Sequence, residues 1–306
     1  MYKIYGLLVF VMLAWGLNVT ATKIVVTAFT PVTITAIRVF TAAISVFIFL
    51  YFLKILRLPT KKEVYYILIA CLFNVVCHHY FLSIGLSKTS ASNGGLILGL
   101  GPILTTVVAF FFLKARVSYL QLTGIVLGLL GVFFIVAAGK GGFSGISIGD
   151  IYVFLAIFTQ ALSFVLIKKV SNTLDPRLMT GYMMLAGSII LFIISLIQEP
   201  KGLSQIPNGT WDVWLVFLGS AVIATAIGHM IYNYSIGKVG VSEAAVFINL
   251  NPFFALVGAV LFLGEVITVS QVIGFVFILF GVLLGSGAIE EYLRDLKRKK
   301  HITHSL

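Results

Sequence analysis

Histidine, amide and phenol side chains recur inside long apolar runs of this chain, and those are the groups able to do chemistry there. The runs hold Trp15 and Asn18; Asn74, His78 and His79; Asn93; Gln160; His229, Tyr232 and Asn233; and Asn249 and Asn251. Inside a lipid bilayer such groups are costly unless they face protein or water, so each is a binding-site candidate. Asn18 and Thr22, Asn74 and His78, and His229 and Asn233 are spaced i, i+4, which puts each pair on one helix face. A lining of amides, imidazoles and phenols suits a polar, zwitterionic or aromatic solute. The competing role for Ser, Thr and Asn is hydrogen bonding between helices, worth about 1 kcal/mol each.

Other chemistries are not spelled out. The chain has no phosphate-binding glycine loop and no HExxH zinc motif, and no Asp or Glu lies centrally in an apolar run. His78 and His79 are neighbours whose side chains leave the helix in different directions, a poor two-ligand metal site. No cofactor, metal or catalytic group is expected. Proton coupling would have to use a histidine, or Glu243 or Glu265 near helix ends.

The elements that must position these residues follow from hydropathy. Of the 306 residues, 60% are hydrophobic and 10% charged. A soluble domain carries about a quarter of its residues as charges. Apolar blocks fall near 5–26, 32–53, 64–86, 89–113, 119–138, 150–170, 177–197, 212–236, 241–263 and 267–288. Each is roughly 20 residues, enough to cross a hydrocarbon core of about 30 Å. The expected fold is an all-α integral membrane protein with ten transmembrane helices. The net charge of +11 would suggest nucleic acid in a soluble protein. Here 16 of the 21 Lys and Arg residues fall on the side of the N-terminus. The charge is therefore topological, no nucleic-acid partner is implied, and both termini are expected to be cytoplasmic. The two cysteines, Cys71 and Cys77, share one span six residues apart and are read as unpaired filler.

The chain also repeats itself. At an offset of 150, Gln121, Gly124 and Gly131 fall on Gln271, Gly274 and Gly281; Pro102 falls on Pro252, Lys88 on Lys238, Ser92 on Ser242 and His79 on His229. Nearer the start of each half the offset is 145, placing Lys23 on Lys168 and Pro31 on Pro176. The units are residues 1–138, a Gly/Ser-rich extracytoplasmic linker at 139–149, a second unit at 150–288 and a basic cytoplasmic tail at 289–306. Five helices per unit is odd, so the copies enter the membrane in opposite senses. Such inverted repeats build secondary transporters, with the solute site near the midplane between the halves.

Pro102 and Pro252 sit in mid-span and crowd the carbonyls of Leu98 and Ile248, so kinks are expected at both. Asn249 and Asn251 flank one break, and Gly99 and Gly101 the other. These breaks either gate solute or statically shape the bundle. Gly95 and Gly99, Gly124 and Gly128, and Gly281 and Gly285 are GxxxG pairs for close helix approach. They mark tight crossings within each half or a contact between protomers, so a homodimer is one expectation. Lys23 and Arg38 are placed near the outer ends of the first two spans. There they either snorkel or attract a carboxylate to an outer vestibule.

At this point the chain resembles the ten-helix EamA-type exporters of the drug/metabolite transporter superfamily. The first half carries Trp15-Gly16, Lys23, Pro31 and Arg38 in the order typical of them. The second carries Asn251-Pro252, the turn Leu263-Gly264-Glu265, then Gln271, Gly274 and Gly281. The resemblance spans about residues 5–288. It departs from the usual pattern at Lys114-Ala115, where a Gly-Glu turn is typical, and at Lys168, which lacks an upstream tryptophan like Trp15. The resemblance implies a basket of helices around a central cavity, with helices three, four, eight and nine prominent in its lining and five and ten peripheral. It implies export of amino acids or other small metabolites by alternating access across the plasma membrane, where no targeting extension would direct the chain elsewhere. A nucleotide-sugar or sugar-phosphate carrier of the same superfamily is the alternative, and a membrane-embedded lipid enzyme or a channel stands further off.

Overall fold

In the computed structural model the chain is a bundle of long helices, described over residues 2–113, 118–137, 147–171 and 173–285. Most of the linker at 139–149, the Lys114-Ala115 turn and the tail at 289–306 lie outside the described residues. The helices are α1 (Tyr2–Ala28), α2 (Pro31–Phe52), α3 (Lys61–Lys88), α4 (Ala91–Leu98 and Gly101–Leu113) and α5 (Tyr119–Ala137). They continue as α6 (Ile148–Val170), α7 (Pro176–Gln198), α8 (Trp211–Val239), α9 (Val241–Phe247, a tighter turn at Ile248–Leu250, then Asn251–Leu263) and α10 (Val269–Gly285). Among the described residues, seven helices are long and apolar enough to cross a membrane, and three further apolar helices are shorter. This is a multi-pass membrane protein.

Helix ends follow local chemistry. Thr60 and Glu63 form a reciprocal capping box at the start of α3, with Arg57 paired to Glu63 at 2.7 Å. Pro31 and Pro176 open α2 and α7, where a missing N–H costs nothing. Gly264 ends α9 in the left-handed region (φ 62°), which glycine adopts without strain. Carboxylates from distant segments cap two more starts. Glu199 accepts from Val32 N, Thr33 N and Thr33 Oγ1 at 2.7–3.0 Å. Glu265 accepts from Ala91 N, Ser92 N and Ser92 Oγ at 2.5–2.9 Å. Glu265 is thereby committed to the α4 N-terminus, where an anion is stabilised.

The expected proline kinks are present. In α4 the amide of Leu100 reaches only to the Ile97 carbonyl, and the helix restarts at Gly101, one residue before Pro102. In α9 the tighter turn Ile248–Leu250 precedes Asn251-Pro252. Unexpectedly, α3 and α8 each loosen into a wider helical stretch, at Leu72–Cys77 and Ser220–Gly228, immediately before His78 and His229. Single wide turns of this kind misalign backbone carbonyls and concentrate at functional sites.

The two halves interlock. Helix α1 packs against α8 and α9, and α6 packs against α3 and α4, so each half's first helix lies on the other half's third and fourth. The α2–α7 and α5–α10 pairs also join the halves. The described glycines of α5 and α10 therefore serve a crossing between the halves rather than one within a half. A Cβ on Gly281 would lie 2.6 Å from Gly128 N, and one on Gly131 would lie 2.7 Å from the Gly274 carbonyl oxygen. The two backbones meet where both helices carry glycine. Cys71 and Cys77 are free thiols.

Candidate functional site

The cavity at the centre of the bundle collects side chains from six helices. Helix α1 supplies Trp15, Asn18 and Val19; α3 His78, His79 and Leu82; α4 Leu98; α6 Ile157 and Gln160; α8 His229; and α9 Ile248 and Asn251. Seven of the residues expected to bind solute are thus gathered, from both halves, around one space. That space is about 40 Å³, room for about two or three waters rather than a metabolite. Helices α1 and α6, which the resemblance did not emphasise as lining, contribute five of these twelve residues. The apolar lining residues carry no signal in the sequence that separates them from other spans.

The three histidines converge. Ring centroids are 4.9 Å apart for His78 and His79, 5.4 Å for His79 and His229, and 6.4 Å for His78 and His229. Their ligand nitrogens lie within 4.8 Å of one another. The expectation that adjacent histidines would point apart is corrected. Both rings are buried because α3 is enclosed by neighbours on more than one face, and His229 enters from the repeat-related helix. His78 Nδ1 lies 2.9 Å from the Ala156 carbonyl and His229 Nδ1 lies 3.1 Å from the Thr225 carbonyl, so both rings donate from Nδ1 and, when neutral, leave Nε2 as an acceptor. The Gln160 amide nitrogen is 3.3 Å from His78 Nε2, to which it donates.

Arg38 overturns its assignment to an outer vestibule. It sits seven residues into α2, roughly 10 Å along the helix, and is only 1% exposed. Its guanidinium donates to Ser220 Oγ at 3.2 Å and Thr225 Oγ1 at 3.1 Å, and faces His79 Nδ1 at 3.4 Å. Snorkelling is unavailable because the interlocked halves close over α2 on this face. Lys23 is tied down instead: its Nζ donates to the carbonyls of Leu86 and Thr89, at 2.7 and 2.8 Å, at the end of α3. Lys168, its counterpart at offset 145, donates to the Gly237 carbonyl at the end of α8. This pair is helix-end chemistry.

The remaining candidates lie outside the cavity lining. Tyr232 is fully buried behind it, in tilted ring contact with Trp15 (4.9 Å) and Phe164 (5.0 Å). Asn74 donates to Ser163 Oγ at 2.7 Å and Asn233 to Thr180 Oγ1 at 2.9 Å, the helix-to-helix role open to any buried amide. Asn93 sits in the first turn of α4 and accepts from Gln271 at 2.8 Å, far enough toward the helix end to miss the cavity. Asn249 is half-buried in the tight turn of α9 and also misses it. Of the two prolines, Pro252 meets the other kink directly: a Cβ on Gly99 would lie 2.5 Å from its ring. Helices α4 and α9 cross where both bend, and Pro102 is buried beside that crossing. A second space of about 300 Å³, almost wholly apolar, opens between α1 and α8 and shares Asn18 with the central cavity.

Comparison with known proteins agrees with this architecture. The model of the EamA-like transporter family matches residues 3–137 and 147–287. The chain is 30% identical over 292 residues to the uncharacterized transporter YyaM of Bacillus subtilis, covering 94% of each. It is 26% identical to an uncharacterized transporter of Archaeoglobus fulgidus, covering 88% of this chain and 94% of that one. It is also 26% identical to a chloroplastic WAT1-related protein of Arabidopsis thaliana, covering 85% of this chain and 64% of the relative. A solved crystal structure superposes with a TM-score of 0.68 at 17% identity, over 93% of this chain and 96% of the other, a likeness of fold. Matched over most of its length, the chain belongs to the EamA-like transporter family and is a membrane transporter.

Proposed function

We propose that this protein is a secondary transporter that exports or exchanges amino acids or similar small metabolites across the plasma membrane by alternating access. Ten helices cross the bilayer as two inverted five-helix units, 1–138 and 150–288, with both termini in the cytoplasm. The observation that carries the reading is the convergence of Trp15, Asn18, His78, His79, Gln160, His229 and Asn251 on one buried space between the halves. Four polar atoms of its lining residues have no hydrogen-bond partner: Asn18 Oδ1, Asn251 Oδ1, His79 Nε2 and His229 Nε2. A polar solute would satisfy them, as buried polar groups require. The cavity's small volume suits a closed intermediate of the cycle, with the crossing kinks of α4 and α9 as the parts that move.

The test is uptake and counterflow of a labelled amino-acid panel in proteoliposomes, with and without an imposed pH gradient. Saturable movement of one or a few amino acids is expected. Failure of the whole panel would move the assignment to other metabolites, sugar phosphates first.

A further inference from the structure

Among the described residues, one buried charge has no counter-ion. The three groups that the Arg38 guanidinium faces, Ser220 Oγ, Thr225 Oγ1 and His79 Nδ1, are all neutral. The ion pairs seen among the described residues are Arg57–Glu63 and Arg177–Asp175, both at helix ends and neither touching Arg38. A guanidinium keeps its proton at any physiological pH, and a lone ion in a protein interior is unfavourable unless something of opposite charge compensates it.

His79 stands between that charge and the cavity. Arginine offers donors only, so His79 Nδ1 must accept, and the neutral ring then carries its proton on Nε2. That nitrogen has no partner and belongs to a cavity-lining residue. A cavity-lining residue therefore holds an unpartnered N–H donor, with the Arg38 guanidinium at its other ring nitrogen. Three further lining residues hold unpartnered acceptors: His229 Nε2, Asn18 Oδ1 and Asn251 Oδ1. The three histidine nitrogens do not form a fitting divalent-metal site, because one is an N–H and the guanidinium repels a cation.

We propose that the solute recognised here carries a carboxylate, which accepts the His79 Nε2–H and serves as the counter-ion of Arg38. A carboxylate matches a single polarised donor, whereas a phosphate brings more oxygens and charge than one donor satisfies. The remaining acceptors match an ammonium or other N–H group on the same molecule. The identification of this anion as cargo rests on the transport reading; the anion site itself does not. Arg38 acts through His79 as a positioning residue.

The experiment measures thermal unfolding of the full chain in detergent with sodium propionate, with propionamide as the isosteric neutral probe and sodium chloride to match ionic strength. Propionate should raise the melting temperature of wild type saturably, and propionamide should not. Arg38→Lys keeps the charge and should respond with a half-maximal concentration raised about tenfold, while Arg38→Gln should need at least about a hundredfold more. An equal response to propionamide, no response of wild type, or an unchanged response in Arg38→Gln would each overturn the proposal. Should neither variant fold, the propionate and propionamide arms on wild type decide alone. Counterflow of amino acids against their amides in proteoliposomes separates the two ideas. Equal carriage of acids and amides sinks the carboxylate site and leaves transport standing. No carriage of either, with the propionate effect intact, sinks the amino-acid reading and leaves the site.

Discussion

The Trp15 indole N–H donates to the Ala224 carbonyl at 2.9 Å, joining the first helix of one half to the loosened stretch of α8 in the other. The bond is local physics at both ends. The wide turn at Ser220–Gly228 frees carbonyls from the regular ladder, and a buried indole N–H needs an acceptor. Trp15 then packs with tilted rings against His229 at 4.8 Å and Tyr232 at 4.9 Å, so this bond orients the cavity wall.

Gly228→Ala tests that wall. A Cβ there would lie 2.6 Å from Trp15 Nε1, displacing the indole and leaving a buried carbonyl unpaired, at a cost of about 1–3 kcal/mol. We expect a lower melting temperature together with a raised KM for transported solute. Gly219→Ala is the control, since its Cβ would meet nothing within 4 Å. Equal behaviour of the two variants would show that the indole position is unimportant.

His229→Ala and Asn93→Ala should separate. The first removes a cavity ring with an unpartnered nitrogen, and transport should fall while the protein still inserts and folds. The second removes a partner of Gln271 at the head of α4, and KM should stay within about twofold of wild type, as for a surface substitution of about 0.5 kcal/mol. Transport kinetics on matched quantities of purified protein check both.

Glu265→Gln should lower stability by about 1–2 kcal/mol, as loss of a charged helix cap does, and leave the pH profile of transport unchanged. The carboxylate is occupied by two amides and a hydroxyl of α4. Glu199→Gln, capping α2 in the same manner, should behave alike. A shifted pH profile in the Glu265 variant alone would instead make that residue part of proton coupling.

Gly281→Leu should cost at least about 1–3 kcal/mol, the usual range for overpacking, because its side chain would drive into the backbone of α5 at Gly124 and Gly128. Reduced yield and melting temperature with unaltered KM is the expected pattern in detergent-purified protein. A wild-type melting temperature would mean that α5 and α10 do not cross at their glycines.

Much of this molecule is written in its linear order. Apolar length, basic flanks, the repeat at offsets of 145 and 150, and the kinks at Pro102 and Pro252 all follow from hydropathy and backbone sterics, which act within a few residues. The repeat also singled out His79 and His229, because matching polar residues inside apolar runs stand out against their surroundings. The depth of Arg38, the meeting of three histidine rings and the diversion of Asn93, Asn233 and Lys23 to helix ends and helix contacts were decided only in the tertiary structure. Each depends on which helix faces which, and that is set by how the two halves interlock and where their glycine and proline positions let backbones approach. A helix's own sequence states which face is polar, but the partner that face meets can lie 187 residues away, as Thr225 does for Arg38.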